Sequence, residues 1–276
     1  MCHLLFAKKS ATVMIKSYFA STNRHSQTKN TPVNPHLDSA RRPSVLQNTS
    51  RVSPWLIRVA YLLGRCMILP SFFGHIKVTG RENIPKSGPV ILAPTHRSRW
   101  DSLVLPYATG RCVTGRDMRF MVTSNECQGL QGWLVLRMGG FPVNIERPAI
   151  ATLRHTVELM QQGEMLVIYP EGGIHRDGQV HPLKPGIARL AVTAESTYPG
   201  LDIKVIPVGI HYSEPYPHWG TDVSIHIGEP IKAADYMNGN LKQEAKRLTA
   251  DLTHKLKQLS HQEVEISDRI FAEIHN

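Results

Sequence analysis

Cysteine is sparse in this sequence, and patterned cysteine is missing altogether. The four present, Cys2, Cys66, Cys112 and Cys127, make no Cys-x-x-Cys pair and follow no secretory signal. A disulfide framework is thereby set aside, and the expectation is of reduced intracellular thiols. The 14 histidines form no His-Glu-x-x-His or mixed Cys/His set with ligand spacing, so the sequence requires no metal. Gly-x-Gly-x-x-Gly and phosphate-loop patterns are lacking, which removes nucleotide-dependent mechanisms. Aromatic and Arg-Gly repeats are lacking too, so nucleic acid is not the expected partner of the basic charge. No internal repeat divides the chain, and 276 residues at 41% hydrophobic content suit one sizeable core with appendages.

Acid is nearly absent from residues 1–52, where eight Lys or Arg face Asp38 alone and carry +7 of the formal net charge of +10. This stretch is rich in Ser, Thr and Asn and is broken by Pro32, Pro35 and Pro43. Such a composition buries too little apolar surface to order itself, and it reads as a flexible basic leader. An organellar transit segment and a polybasic tether to anionic lipid are the lesser alternatives for such a stretch. Residues 53–75 follow as an apolar helix interrupted by Arg58 and Arg65, seven residues apart and so on one face, with Trp55 and Tyr61 available at a headgroup boundary. Spanning needs about 20 predominantly apolar residues, and each central arginine costs a few kcal/mol. The segment is therefore expected to lie in a membrane interface or pack on the domain with its arginines in water, and to be removable.

Residues 76–276 read as one domain in which short β-branched runs alternate with helical stretches. Strands are predicted at 76–79, 90–93, 120–123, 142–145, 165–169, 205–210 and 223–227, with helices near 99–108, 128–137, 148–162, 185–197 and 240–259. The last carries Leu241, Ala245, Leu248, Leu252, Leu256 and Leu259 on one stripe. The alternation predicts an α/β sandwich around a single mixed sheet, with sites at strand ends.

Pro94-Thr-His-Arg-Ser-Arg-Trp-Asp-Ser102 sits where the strand ending at Ala93 gives way to a helix. Ser98 is expected to cap that helix, with Asp101 three residues on at the far corner of a capping box. An ionised carboxylate there can reach one nitrogen of His96, fix the tautomer and leave the other nitrogen to accept a proton. An ordinary capping box beside an incidental loop histidine fits this segment as well.

Three further blocks follow in order: Gly139-Gly140-Phe141-Pro142-Val143-Asn144-Ile145-Glu146-Arg147, Tyr169-Pro170-Glu171-Gly172-Gly173-Ile174-His175-Arg176 and Val205-Ile206-Pro207-Val208-Gly209-Ile210. The four together, across roughly half the chain, resemble the glycerolipid acyltransferase family that includes 1-acylglycerol-3-phosphate acyltransferase. That resemblance implies an α/β sandwich and acyl transfer from a thioester to a hydroxyl, with His96 as base and Asp101 as its orienter. It also points to Arg147 as a phosphate contact, to Glu171 and Gly172 as shapers of the acceptor site, and to Pro207 in the last block. Gly172 and Gly173 would let backbone amides approach a developing oxyanion.

Two departures bear on the acceptor. Arg176 stands off the offset at which relatives place a basic residue, and Val122-Thr123-Ser124-Asn125-Glu126-Cys127 lacks the lysine that relatives of the lysophosphatidate type often carry. Arg116, Arg119 or Lys184 could supply that charge, Lys184 because Lys184-Pro185-Gly186 opens a helix whose amides suit an anion. Pro207 requires a bulge, a strand end or an edge.

The expected activity is transfer of a fatty acyl group to a lysophospholipid, with 1-acylglycerol 3-phosphate the leading acceptor and phosphatidic acid the product. Another lysolipid is the alternative acceptor, and a lipid-binding scaffold without turnover the alternative class. Ser98 and Ser102 lie in no Gly-x-Ser-x-Gly elbow, against a serine hydrolase. No cofactor is implied beyond the cosubstrate, an acyl thioester of coenzyme A or acyl carrier protein. The expected setting is peripheral and intracellular, at the cytoplasmic membrane surface or after organellar import.

Overall fold

A computed structural model describes residues 52–144 and 150–274, those from 261 onward by backbone alone. The leader before Val52 and Arg147 lie outside the described residues. An apolar helix opens the fold: α1 runs Pro54–Phe72 and is interrupted by a π-turn at Gly64–Ile68. Then come β1 (Ile76–Thr79), β2 (Val90–Pro94), α2 (Asp101–Thr109), a short α3 (Arg111–Thr114) and β3 (Met118–Thr123). They are followed by α4 (Gly129–Arg137), β4 (Gly140–Val143), α5 (Ile150–Gln161), β5 (Met165–Val167), α6 (Gly186–Thr197) and β6 (Lys204–Tyr212). The chain closes with β7 (Val223–Ile227), β8 (Ile231–Lys232) and α7 (Leu241–Ile274).

The strands form one mixed sheet in the order β1, β7, β6, β2, β5, β3, β4, with β8 also on β6. Pairing is parallel except where β6 meets β7 and β8. Helices cover both faces, which is why β2 is apolar and buried at every position instead of alternating. On one face Ile91, Leu166 and Val205 pack with α5, α6 and α7; on the other Leu92, Val167 and Ile206 pack with α2 and the end of α1. The expected α/β sandwich is therefore the observed one.

Three expectations change. The segment 53–75 is built into the core: Leu69 and Phe73 are 1% and 3% exposed there, and Phe72 stacks on Trp100 at 4.1 Å. Its two arginines also part company. The π-turn begins between them, leaving Arg58 exposed while Arg65 folds over the Tyr107 ring at 5.0 Å. Pro207, finally, lies in a central strand, neither at its end nor at an edge. Beside it the partner of β6 changes from β8, at Val205, to β7, at Val208. The Pro207 carbonyl accepts from Gly228 N in that gap at 2.9 Å, so the missing amide faces the same break in the ladder.

Candidate active site

β2 and β5 are parallel neighbours, and Ile168 N–H donates to Leu92 O at 3.1 Å one step past their ladder. The segments carrying His96 and Glu171 therefore leave the sheet side by side at its carboxyl edge, where open α/β sheets gather their sites. His96 Nδ1 lies 2.7 Å from Asp101 Oδ2, and Asp101 is fully buried. The same oxygen accepts from Arg97 N at 2.8 Å and Ser98 N at 3.0 Å, while Oδ1 accepts from the Tyr212 hydroxyl at 2.7 Å. These donors hold Asp101 as a carboxylate acceptor. The network assigns the imidazole proton to Nδ1 and leaves Nε2 as the ring's free acceptor.

The capping box forms by half. Asp101 reaches back to Ser98 N, but α2 begins at Asp101 itself and Ser98 Oγ accepts from Trp100 N at 3.3 Å. Drawing the carboxylate toward His96 displaces Ser98 from the cap position.

Two tyrosines complete the surroundings of the pair. Burial, and then the Asp101 charge, push the Tyr212 phenol far above its ordinary range, so it remains a donor. Tyr169 stacks on His96 with centroids 4.0 Å apart, and its phenol is likewise raised by burial first and Asp101 second. The Tyr169 hydroxyl is buried without a hydrogen-bond partner among the described residues.

Glu171 turns away from the cavity. Its buried carboxylate accepts from His96 N at 2.9 Å, His181 N at 3.0 Å and Arg97 Nη1 at 3.0 Å. Arg97 is itself 5% exposed and also donates to the carbonyls of His175 and Gln179. This ion pair ties the loop after β5 to the loop after β2, so Glu171 holds an arginine and does not line the cavity where the resemblance had set it as a shaper of the acceptor site.

A cavity of about 960 Å³ opens beside His96, walled by α1, α2, α4, β3, the Tyr169–Ile174 loop and the start of α6. Gly172, Gly173 and Lys184 line it with His96. Gly172 has φ +72°, and a Cβ there would stand 2.6 Å from Lys184 Cε, so glycine is what lets Lys184 lie across the loop. Arg189, one turn into α6, lines the cavity too, and neither cation is ion-paired among the described residues.

Pro207 and Arg176 line no part of this cavity; Arg176 instead covers the Tyr216 ring at 4.8 Å. Arg116 is spent on the carbonyls of Pro85, Gly88 and Gly163, and Arg119 on Glu164 at 3.0 Å. The reading of the sequence missed Arg97, Tyr212 and Arg189. None of the three carries a local signal: Arg97 stands in a polar stretch, Thr95-His96-Arg97-Ser98-Arg99, and meets Glu171 only across the sheet. Among the described residues no three His, Cys, Asp or Glu converge as a metal site.

The arrangement can therefore take a proton at His96 Nε2 beside a largely apolar cavity whose lining includes the cations Lys184 and Arg189. Residues 75–211 match the family model described as Acyltransferase. The chain is 23% identical over 201 residues to the 1-acyl-sn-glycerol-3-phosphate acyltransferase of Bacillus subtilis, covering 70% of this chain and 92% of that one. It is 28% identical over 204 residues to the human mitochondrial glycerol-3-phosphate acyltransferase 1, covering 67% of this chain but only 24% of that protein. The crystal structure of the 1-acyl-sn-glycerophosphate (LPA) acyltransferase PlsC from Thermotoga maritima superposes with a TM-score of 0.58 at 20% identity, over 75% of this chain and 78% of that one.

Proposed function

The chain belongs to the glycerolipid acyltransferase family, and from that premise we propose that it transfers a fatty acyl group from a thioester to the free hydroxyl of 1-acylglycerol 3-phosphate, giving phosphatidic acid. The observation that carries this reading is the 2.7 Å bond from His96 Nδ1 to a buried Asp101, on a histidine that lines a 960 Å³ cavity. His96 Nε2 takes the acceptor's hydroxyl proton as the oxygen attacks the thioester carbonyl, and Asp101 stabilises the imidazolium that forms. The carbonyl C–S bond then breaks, and the thiolate of coenzyme A or acyl carrier protein leaves and recovers the proton. Lys184 and Arg189 supply the charge for a phosphate, in place of the missing lysine and the displaced Arg176. Their altered positions favour one second reading within the same chemistry, a lysolipid with a different headgroup.

The protein works at a membrane surface, with α1 lying along it. By length and a mean hydropathy of 1.3 this helix could cross a bilayer, but Leu69 is locked in the core and Arg65 is held on Tyr107. Those anchors support the interfacial arrangement.

The test offers acyl-coenzyme A and acyl carrier thioesters against a panel of lysolipids in mixed micelles, with products read by mass spectrometry. His96→Ala should fold and bind lipid as the parent does while transfer falls at least about a hundredfold. Transfer within a few fold of the parent would remove His96 from the chemistry, and a diacyl product other than phosphatidic acid would replace the acceptor.

A further inference from the structure

The helix α4 is apolar yet nearly unburied. In Gly129-Leu-Gln-Gly-Trp-Leu-Val-Leu-Arg137 only Gly132 is buried, while Leu130 is 82% and Trp133 50% exposed. Gly132 is fixed from beneath, since a Cβ there would stand 2.1 Å from the Cys127 backbone. The helix therefore sits flat on the turn before it and turns its large side chains outward. A face of this kind on a folded domain marks a surface meant to be covered.

Three observations connect that face to α1. Ser53 N donates to Arg137 O at 2.9 Å, joining the start of α1 to the end of α4. Both helices border the cavity beside His96, through Ile57, Ala60 and Tyr61 on one side and Leu134 and Val135 on the other. On α1 the outward residues are again large and apolar, Trp55 at 71%, Leu62 at 64% and Met67 at 62% exposed. Charge is one-sided as well: Pro54–Phe72 and Gly129–Arg137 contain Arg58, Arg65 and Arg137 and no acid. Arg137 lies 5.2 Å from the centre of the Trp133 ring, an aromatic and cation pairing suited to a headgroup layer.

We infer that α4 is a second bilayer-docking element, which with α1 makes a two-sided rim seated in the interface of an anionic membrane. The occupant is a lipid surface because the patch combines apolar side chains, arginines and no acid, and because it frames the cavity that a lipid tail must enter. The arrangement extends the interfacial reading of α1 given above and stands or falls separately from it. Its consequence is that a lipid acceptor enters between the two helices without passing through water.

Vesicles of phosphatidylcholine with and without phosphatidylglycerol are sedimented with the full chain, with Leu130→Gln/Trp133→Gln, and with Trp55→Gln/Leu62→Gln. Neither Leu130 nor Trp133 lines the cavity or enters the core, so the α4 variant should keep the parent's thermal transition. It should bind anionic vesicles at least about tenfold more weakly, as expected for losing two inserted apolar side chains. As a measurement that does not depend on that variant's folding, Trp133 is left as the sole tryptophan by Trp55→Phe, Trp100→Phe and Trp219→Phe. Its fluorescence should then be quenched by brominated lipid. Parent-like binding together with an unquenched Trp133 overturns the proposal, even where the α1 variant is lost from vesicles and the α1 reading survives. If both variants bind like the parent, both readings fall. Parent-like binding by an α4 variant that changes from dimer to monomer in sedimentation velocity gives the face to a second copy, and that also overturns the proposal.

Discussion

Asp101 receives four donors, and only one of them is the histidine. Tyr212 reaches it from β6, 111 residues away, through a hydroxyl kept protonated by burial and by the carboxylate it serves. Removing that hydroxyl leaves Oδ1 bare inside the protein. Tyr212→Phe should therefore cost about 1–3 kcal/mol of stability in thermal or urea unfolding, the usual consequence of stranding a buried acceptor. Its kcat/KM should also fall about tenfold as the carboxylate loses its fixed position, since a misplaced orienter misplaces the base. Tyr169→Phe makes the opposite case. Its hydroxyl has no partner to lose among the described residues, and the ring keeps its stack on His96. That substitution should raise stability by about 1 kcal/mol and leave turnover within a few fold. Lost turnover in Tyr169→Phe at unchanged stability would show the hydroxyl in contact with substrate.

At the scale of elements, two loops are joined by one ion pair. Glu171 and Arg97 bring the segment after β5 against the segment after β2, and the carboxylate also accepts the peptide N–H of His96 itself. Glu171→Gln leaves a buried guanidinium uncompensated, a change worth about 3–5 kcal/mol. In a domain of this size that lowers Tm by about 10 °C, measured by scanning calorimetry. A shift below about 3 °C would mean that the loops are held by other contacts.

The same pair marks where the sequence stops being readable. Periodicity located the strands because parallel strands covered on both faces are continuous apolar runs, as at Val90–Pro94 and Met165–Val167. The five-residue spacing of His96 and Asp101 was local and thus visible. Arg97 and Tyr212 were not, because each acquires its partner only when β2, β5 and β6 lie side by side. Pro207 was misplaced for a related reason, since the exchange of β8 for β7 beside it belongs to topology. The reach of α7 to Ile274, well beyond residue 259, shows the complementary error. The leucine stripe was followed only to Leu259, while the backbone continues as helix.

For the whole molecule, α1 joins an exposed apolar surface to the active site through the core. Ile57, Leu69 and Phe73 are at most 3% exposed, and Phe73 meets the ring of Tyr212, whose hydroxyl holds Asp101, at 5.9 Å. Burying three such side chains contributes about 4–9 kcal/mol, to be weighed against a total domain stability of about 5–15 kcal/mol. A chain beginning at Val52 should retain the parent's cooperative transition, its transfer activity and its binding to vesicles. A chain beginning at Ile76 lacks all three core side chains and one wall of the cavity. It should therefore show no cooperative transition in far-ultraviolet circular dichroism and aggregate at low ionic strength, instead of being released as a soluble domain. Recovery of a monomeric, cooperatively melting fragment from Ile76 would reverse this argument. It would make α1 an anchor laid on a self-sufficient core, with the Phe73 contact to Tyr212 dispensable to the fold.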